Sequence, residues 1–148
     1  MIIYIGADHG GFALKANLKD FLKNLGYEVF DVGANELIPG DDYPDYAKLV
    51  GQKISESPTE ARGILICRSG VGMDVVANKF KDVRSAVALS ADVIYQARHD
   101  DDINVISFAA DFTDISAAEN MIKIFLSTPF ANDERYTRRL EKIEEIES

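Results

Sequence analysis

The stretch GILICRSGVGMD, residues 63–74, decides the fold of this chain. Residues 64–66 are wholly apolar, which predicts a strand in the middle of a sheet that is covered on both faces. Gly70 and Gly72 predict that this strand runs into a loop that opens a helix. Cys67, the only cysteine, stands at the end of the strand, where the N–H groups of the loop can converge on an anion. We therefore expect a site at the carboxyl end of this strand.

Apolar strands alternate with amphipathic helices on both sides of this stretch. We expect strands over residues 2–5, 27–32, 64–66, 85–89 and 104–108. Ser90 is a predicted N-cap of a short helix that ends near Arg98, and Ser116 with Glu119 is a predicted capping box. The alternation predicts a single α/β domain over residues 1–148, a doubly wound, Rossmann-like α/β/α sandwich with a five-stranded parallel sheet.

The composition limits the classes of partner. The chain has 148 residues, of which 47% are hydrophobic and 28% charged, as is usual for a folded globular protein. Its formal net charge of −9 argues against binding to nucleic acid or to an anionic membrane. No apolar run approaches the ~20 residues of a membrane span, and a single cysteine excludes an internal disulfide. We expect a cytoplasmic protein.

The residues after the strands are candidates for a site, each with an ordinary structural alternative. Asp8 and His9 follow the first strand, so they are expected to face the same crevice as Cys67 and Ser90. A buried cysteine is often a small hydrophobic residue, and Asp8-His9 also suits a plain surface turn. A thiolate beside converging amides, however, suits proton abstraction next to a carbonyl. The chain lacks the Walker A lysine and the full dinucleotide-binding motif.

The C-terminal helix, predicted over residues 133–147, carries two arginines on one face. Arg135 and Arg139 are four residues apart, and neither has an acidic residue three or four positions away. Two such guanidinium groups suit the capture of a phosphate, although pairing with acids elsewhere in the chain is an alternative. The narrow apolar stripe of Leu140, Ile143 and Ile146 predicts that this helix packs on a partner subunit.

A series of motifs, in order along the chain, is similar to one known family. They are GADHGGF at 6–12, DYP at 42–44, GILIC at 63–67 with GVG at 70–72, ANKF at 77–80 and ERYTRR at 134–139. Together they resemble ribose-5-phosphate isomerase B and its relatives, the galactose-6-phosphate isomerase subunits, over essentially the whole chain. The resemblance implies an aldose–ketose isomerase for a sugar phosphate, most simply ribose 5-phosphate to ribulose 5-phosphate, through an enediolate. It also implies no cofactor, no metal, and a homodimer (or a tetramer) with sites built from both subunits.

The resemblance further implies roles for particular residues. Cys67 is the base that moves the proton between C1 and C2, and His99 is the acid that opens the sugar ring, with Asp100 as the alternative occupant of that position. The remaining roles fall to the loop amides that hold the enediolate oxygen and to residues around the sugar and phosphate. The amides are those of Ser69, Gly70, Val71 and Gly72; Asp8 binds sugar hydroxyls, Tyr43 lines the pocket, and His9, Arg135 and Arg139 hold the phosphate.

Several departures from the family pattern leave other functions open. Arg68 replaces the glycine that the family has after the cysteine, and Asp111 stands where the family often carries an arginine. These changes leave two alternatives, an isomerase for a six-carbon sugar phosphate and a phosphosugar-binding protein without catalysis. A response-regulator receiver is disfavoured because residues 105–111 contain no lysine, and a flavodoxin because the first loop is not rich in hydroxyls.

Overall fold

The computed structural model describes residues 1–147 and contains five strands and six helices in that range. The strands are β1 (Ile2–Ala7), β2 (Glu28–Asp31), β3 (Ala61–Cys67), β4 (Ser85–Val87) and β5 (Val105–Ala109). They form one sheet in the order β2-β1-β3-β5-β4, and every neighbouring pair is parallel. The predicted doubly wound sheet is thus confirmed, and Ser148, the last residue of the predicted domain, lies outside the described residues.

The central strand β3 is covered on both faces, as its apolar sequence predicts. All seven of its residues are buried. Because successive side chains of a strand point to opposite faces, Ile64 and Ile66 join one hydrophobic core while Leu65 and Cys67 join the other. Cys67 therefore ends the strand on a face that is shielded from water.

Six helices provide the covering layers. They are α1 (Phe12–Asn24), α2 (Tyr43–Glu56), α3 (Val71–Ala77), α4 (Ala91–Asp101), α5 (Ile115–Ser127) and α6 (Glu134–Glu147). The helices α1, α4 and α5 cover one face of the sheet, α2 and α3 cover the other, and α6 packs against α4. Among residues 1–147, no helix combines the length and the hydrophobicity that crossing a membrane requires.

Some predicted boundaries and one predicted cap are wrong. Ser90 caps α4 as expected, but α4 continues to Asp101 instead of ending near Arg98. The Arg98 side chain bonds Asp102 at 2.7 Å, and Asp102 ends the helix with a positive φ of 47°. The strand β4 is shorter than predicted, since only Ser85–Val87 pair with β5, its one neighbour in the sheet.

The predicted capping box at Ser116 is replaced by a cap at Asp114. The Asp114 side chain accepts the Ala117 N–H at 2.7 Å, which places Ser116 inside the first turn of α5. We expect Asp114→Ala to lower the free energy of unfolding by about 1 kcal/mol, because the Ala117 N–H loses its acceptor at the start of α5. Ser116→Ala is the matched control and should change stability little. Urea denaturation of both variants measures the difference, and a larger loss in Ser116→Ala would contradict the assignment.

The topology places the ends of β1 and β3 side by side at the switch point of the sheet. The chain passes from β1 outward to β2 on one side, and from β3 past the position of β5 to the edge strand β4 on the other, so the crevice lies between β1 and β3. Ala7 pairs with Ile66 in the register, and the Asp8 N–H donates to the Ile66 carbonyl at 3.3 Å. The residues that follow β1 and β3 are therefore neighbours.

Candidate active site

The loop between β3 and α3 directs a backbone amide at the thiol of Cys67. Gly70 has a φ of 76°, and a Cβ atom there would lie 2.9 Å from the carbonyl carbon of Phe108. Only glycine fits this left-handed turn against a neighbouring backbone. The turn brings the Gly70 N–H to 3.1 Å from the Cys67 Sγ. A buried sulfur that accepts an amide hydrogen bond is suited to carrying negative charge.

Five of the predicted site residues line one small pocket of about 190 Å³ together with Arg68. The predicted ones are Asp8, Tyr43, Cys67, Ser69 and Gly72. The Tyr43 ring lies so close to residue 72 that a Cβ atom there would be 2.6 Å from the ring, so Gly72 makes room for the pocket wall. Tyr43 opens α2 and is partly exposed, which leaves its hydroxyl at the pocket rim.

Asp8 presents a buried carboxyl group beside the thiol. Its Oδ1 accepts the N–H groups of Gly10 at 2.9 Å and Gly11 at 3.3 Å. Burial raises the pKa of Asp8 above its ordinary value, and the amides of Gly11 and Gly10 oppose that shift. A carboxyl group anchored through one oxygen keeps the other for a sugar hydroxyl.

The remaining loop residues differ in what they can offer a ligand. The Ser69 hydroxyl accepts the Val71 N–H at 3.3 Å, and the Gly70 N–H already donates to sulfur. The amides of Ser69 and Gly72 are therefore the ones that remain for a substrate oxygen. Val71 is 53% exposed and borders an adjoining pocket of about 360 Å³ with the apolar side chains of Leu89 and Phe112.

His9 lies next to Asp8 in the chain, and its ring contacts Asp41. The His9 Nδ1 is 2.7 Å from the Asp41 Oδ1. No sequence pattern points to this pair, since the two residues are 32 positions apart. Atoms of Asp8, His9 and Asp41 lie within 4.8 Å of one another, a closeness that could suit a metal ion. Hydrogen bonds within the protein explain this closeness, because the Asp8 Oδ1 accepts the Gly10 amide and the Asp41 Oδ1 accepts the amide and contacts the ring of His9.

The other predicted residues form a second cluster on α4 and α6. The His99 Nδ1 lies 2.7 Å from the Asp100 Oδ1, and the His99 ring contacts the Tyr136 ring edge-on. Arg135 donates to the Tyr136 hydroxyl at 2.6 Å, and the guanidinium groups of Arg135 and Arg139 lie 4.6 and 5.9 Å from its ring centre. In residues 1–147, neither arginine forms an ion pair within 4.0 Å.

This second cluster lies at the opposite end of the sheet from Cys67. The helix α4 starts after the carboxyl end of β4 and runs back, so His99 in its last turn lies near the amino ends of the strands. Consistently, Arg84, which precedes β4, bonds to Asp102 at 3.0 Å. Within one chain, the thiol of Cys67 therefore lies beside Asp8 and Tyr43. Arg135, Arg139 and His99 lie at the far end of the sheet, away from this pocket.

Arg68 and Asp111, the two departures from the family pattern at the pocket, contact each other. Their side chains approach to 3.6 Å, and the Asp111 N–H donates to the Arg68 carbonyl at 3.1 Å. The Arg68 side chain is 70% exposed, so the ion pair is weak and the guanidinium can turn toward a ligand. The chain thus keeps a cation at the pocket mouth, next to Cys67.

The fold and this site define a doubly wound α/β protein with a buried thiol in a pocket at the carboxyl edge of its parallel sheet. The chain matches the family described as ribose/galactose isomerase over residues 3–143. A probable ribose-5-phosphate isomerase B of Mycoplasma genitalium is 37% identical over 141 residues, which cover 95% of this chain and 92% of that protein. Ribose-5-phosphate isomerase B of Mycobacterium tuberculosis is 31% identical over 147 residues, which cover 99% of this chain and 90% of that protein.

Solved structures agree. The crystal structure of ribose-5-phosphate isomerase B from Mycoplasma genitalium with bound ribulose-5-phosphate superposes with a TM-score of 0.95 at 36% identity, covering 99% of this chain and 95% of that one. The enzyme from Clostridium thermocellum superposes with a TM-score of 0.94 at 35% identity, covering 99% and 97%. This chain belongs to the ribose/galactose isomerase family, as the motifs predict.

Proposed function

We propose that this chain isomerises ribose 5-phosphate to ribulose 5-phosphate, with Cys67 as the base. The observation that carries the proposal is the Cys67 thiol, which accepts the Gly70 amide in one pocket with Asp8 and Tyr43. Membership of the family supports it, and so does the relative that was crystallised with ribulose-5-phosphate. We place the reaction in the cytoplasm, where the reducing conditions keep a catalytic thiol free.

The chemistry needs only one base and an oxyanion site. The Cys67 thiolate takes the proton from C2 of the open-chain aldose, and the electron pair moves into a C1–C2 enediolate. The amides of Ser69 and Gly72 stabilise the negative oxygen. The thiol then returns its proton to C1, while O1 gains a proton and O2 loses one. Atoms and electrons balance within the substrate, so we expect no cofactor and no metal.

We also propose that the site is completed by a second copy of the chain. His99, Asp100, Arg135 and Arg139 form a cluster at the far end of the sheet, so in one chain they do not meet the thiol. Leu89 and Phe112 beside the pocket are 74% and 84% exposed, which suits an apolar interface. In a homodimer, or in a tetramer built from two such dimers, the cluster of one subunit reaches the pocket of the other and holds the phosphate.

A panel of sugar phosphates tests the proposed reaction. Purified protein incubated with ribose 5-phosphate should form ribulose 5-phosphate, measured by ketose detection and by exchange of the C2 proton with deuterium. Galactose 6-phosphate and allose 6-phosphate test the alternative that Arg68 and Asp111 fit a six-carbon substrate. Binding of ribose 5-phosphate without proton exchange would instead support a phosphosugar-binding protein.

His99 is proposed to open the sugar ring. Asp100 is poorly suited to donate a proton, because the hydrogen bond from His99 lowers the pKa of its carboxyl and keeps it ionised. We expect His99→Asn to slow turnover of ribose 5-phosphate by about a hundredfold, the usual contribution of a general acid. Proton exchange in erythrose 4-phosphate, which is too short to close a furanose ring, should change little. Equal losses on both compounds would contradict the role.

A further inference from the structure

His9 is held by a buried carboxylate that comes from a distant part of the chain. The Asp41 Oδ1 accepts both the His9 backbone N–H at 2.9 Å and the ring Nδ1 at 2.7 Å. Tyr46 of α2 donates its hydroxyl to the other oxygen at 2.8 Å. The Asp41 side chain is only 8% exposed, whereas the His9 side chain is 34% exposed. The carboxylate is thus fixed from both sides while the ring still reaches solvent.

These contacts determine which ring nitrogen of His9 faces a ligand. Burial alone would raise the pKa of Asp41, but the hydrogen bonds from the His9 amide, the His9 ring and Tyr46 outweigh it and lower the pKa. The hydrogen bond between Tyr46 and Asp41 also raises the pKa of Tyr46, so the Tyr46 hydroxyl keeps its proton and stays a donor. An ionised carboxylate only accepts, so Nδ1 of His9 carries the proton. Nε2 is left for the ligand.

We propose that Asp41 is a positioning residue for phosphate binding, which fixes His9 with Nδ1 protonated and Nε2 presented to the phosphoryl group. A monoanionic phosphate ester gives its remaining proton to Nε2, and the resulting imidazolium donates one N–H to the phosphate and the other to Asp41. Asp41 balances the positive charge, and Tyr46 holds Asp41 in place. This inference rests on the proposed function, in which His9 binds the phosphate.

The second histidine of the chain provides an internal comparison. His99 also has a carboxylate 2.7 Å from its Nδ1, but that carboxylate belongs to the next residue, Asp100, and is 36% exposed. The chain has only these two histidines, so their ring signals are easily assigned by His99→Asn. Asp41→Ala removes the carboxylate that contacts the His9 ring, and Asp100→Ala removes the one that contacts the His99 ring.

Nitrogen-detected NMR of the two imidazole rings tests the geometry without reference to activity. In the free wild-type protein, His9 should be the Nδ1–H tautomer, and inorganic phosphate should shift its Nε2 signal. Asp41→Ala removes the acceptor of the His9 ring, so it should shift His9 toward the Nε2–H tautomer and abolish the response to phosphate, whereas Asp100→Ala should leave His9 unchanged. The proposal would be overturned if His9 were the Nε2–H tautomer in the wild-type protein, or if Asp41→Ala left the Nδ1–H tautomer unchanged.

Kinetics then separates positioning from a merely structural role. Asp41→Asn should raise KM for ribose 5-phosphate about tenfold, with kcat within about threefold of wild type, and Tyr46→Phe should raise KM by a smaller factor. Asp45→Asn, the matched control, removes an exposed charge of the same segment and should change neither. Unchanged KM in a folded Asp41→Asn variant would overturn the proposal. If the wild-type protein does not isomerise ribose 5-phosphate, the proposed reaction fails, while the NMR titration with phosphate still tests Asp41.

Discussion

Replacing Cys67 by alanine is expected to lower kcat for ribose 5-phosphate by about a hundredfold or more. The thiol is the only group in the pocket that the proposed mechanism uses to move the C2 proton, and it accepts the Gly70 amide at 3.1 Å. Cys67 is 5% exposed, and alanine removes one sulfur atom at the rim of a pocket, so the fold should persist. Steady-state kinetics and thermal denaturation measure the two effects.

Two further measurements assign the loss to the thiol itself. Cys67→Ser keeps nearly the same shape but offers a much weaker acid, so it should lose almost as much activity as the alanine variant. Because the chain has a single cysteine, inactivation by iodoacetamide reports only on Cys67, and ribose 5-phosphate should slow it. Turnover in Cys67→Ala close to the wild-type rate would rule out Cys67 as the base.

The central part of the fold could be predicted because its sequence signals are local and agree with one another. The apolar run of β3, the glycines after it and the alternation of strands and helices all require a covered parallel sheet. The position of Asp8 beside Cys67 then follows from the topology, since both residues end neighbouring parallel strands.

Helix ends were harder to predict because several residues compete for each cap. Ser116 and Asp114 are both good N-cap residues, and the local pattern favoured Ser116 through its spacing to Glu119. The structure uses Asp114, whose side chain reaches the Ala117 amide. At the other end of the sheet, the Arg98 contact with Asp102 extends α4 beyond the predicted end. Such choices depend on contacts that form only in the folded chain.

The support of the site escaped prediction for the same reason. Asp41 precedes α2 among other acidic residues, and nothing in that segment distinguishes it as the partner of His9. By its spacing, Tyr46 belongs to the apolar face of α2, yet its hydroxyl donates a hydrogen bond to Asp41. Residues that bind a substrate can be recognised in local motifs. The residues that orient them are distant in the sequence and become neighbours only when the chain folds.

The two departures from the family pattern at the pocket move its positive charge and lower it. Arg68 adds a cation where the family has glycine, and Asp111 adds an anion where the family often has arginine, and the two side chains meet at 3.6 Å. Together the two side chains carry no net charge, whereas glycine and arginine at these positions would carry +1, so the pocket mouth loses one positive charge that would attract a phosphorylated sugar. Arg68 also places its positive charge directly after Cys67, which changes the space and charge offered to a substrate. The proposed assays therefore include six-carbon sugar phosphates.

Mixing two inactive variants is expected to restore activity if the phosphate is held across the subunit interface. Arg135→Ala combined with Arg139→Ala should raise KM about a hundredfold or more, because two charge-assisted contacts are lost. In a heterodimer with Cys67→Ala, one site has an intact thiol from one chain and intact arginines from the other. Random exchange therefore restores about a quarter of the sites, and complete pairing restores about half.

Two controls make this result specific to the arrangement in trans. Arg138→Ala changes an exposed arginine of the same helix and should keep near wild-type activity by itself. Cys67→Ala mixed with Asp8→Ala should give no recovery, because both residues line the pocket of one chain and every heterodimer site lacks one of them. Subunit exchange is verified by mass spectrometry of the mixed dimers. If exchange is complete and the arginine variant still restores nothing, the arginines act within their own chain, and the second cluster needs a different function.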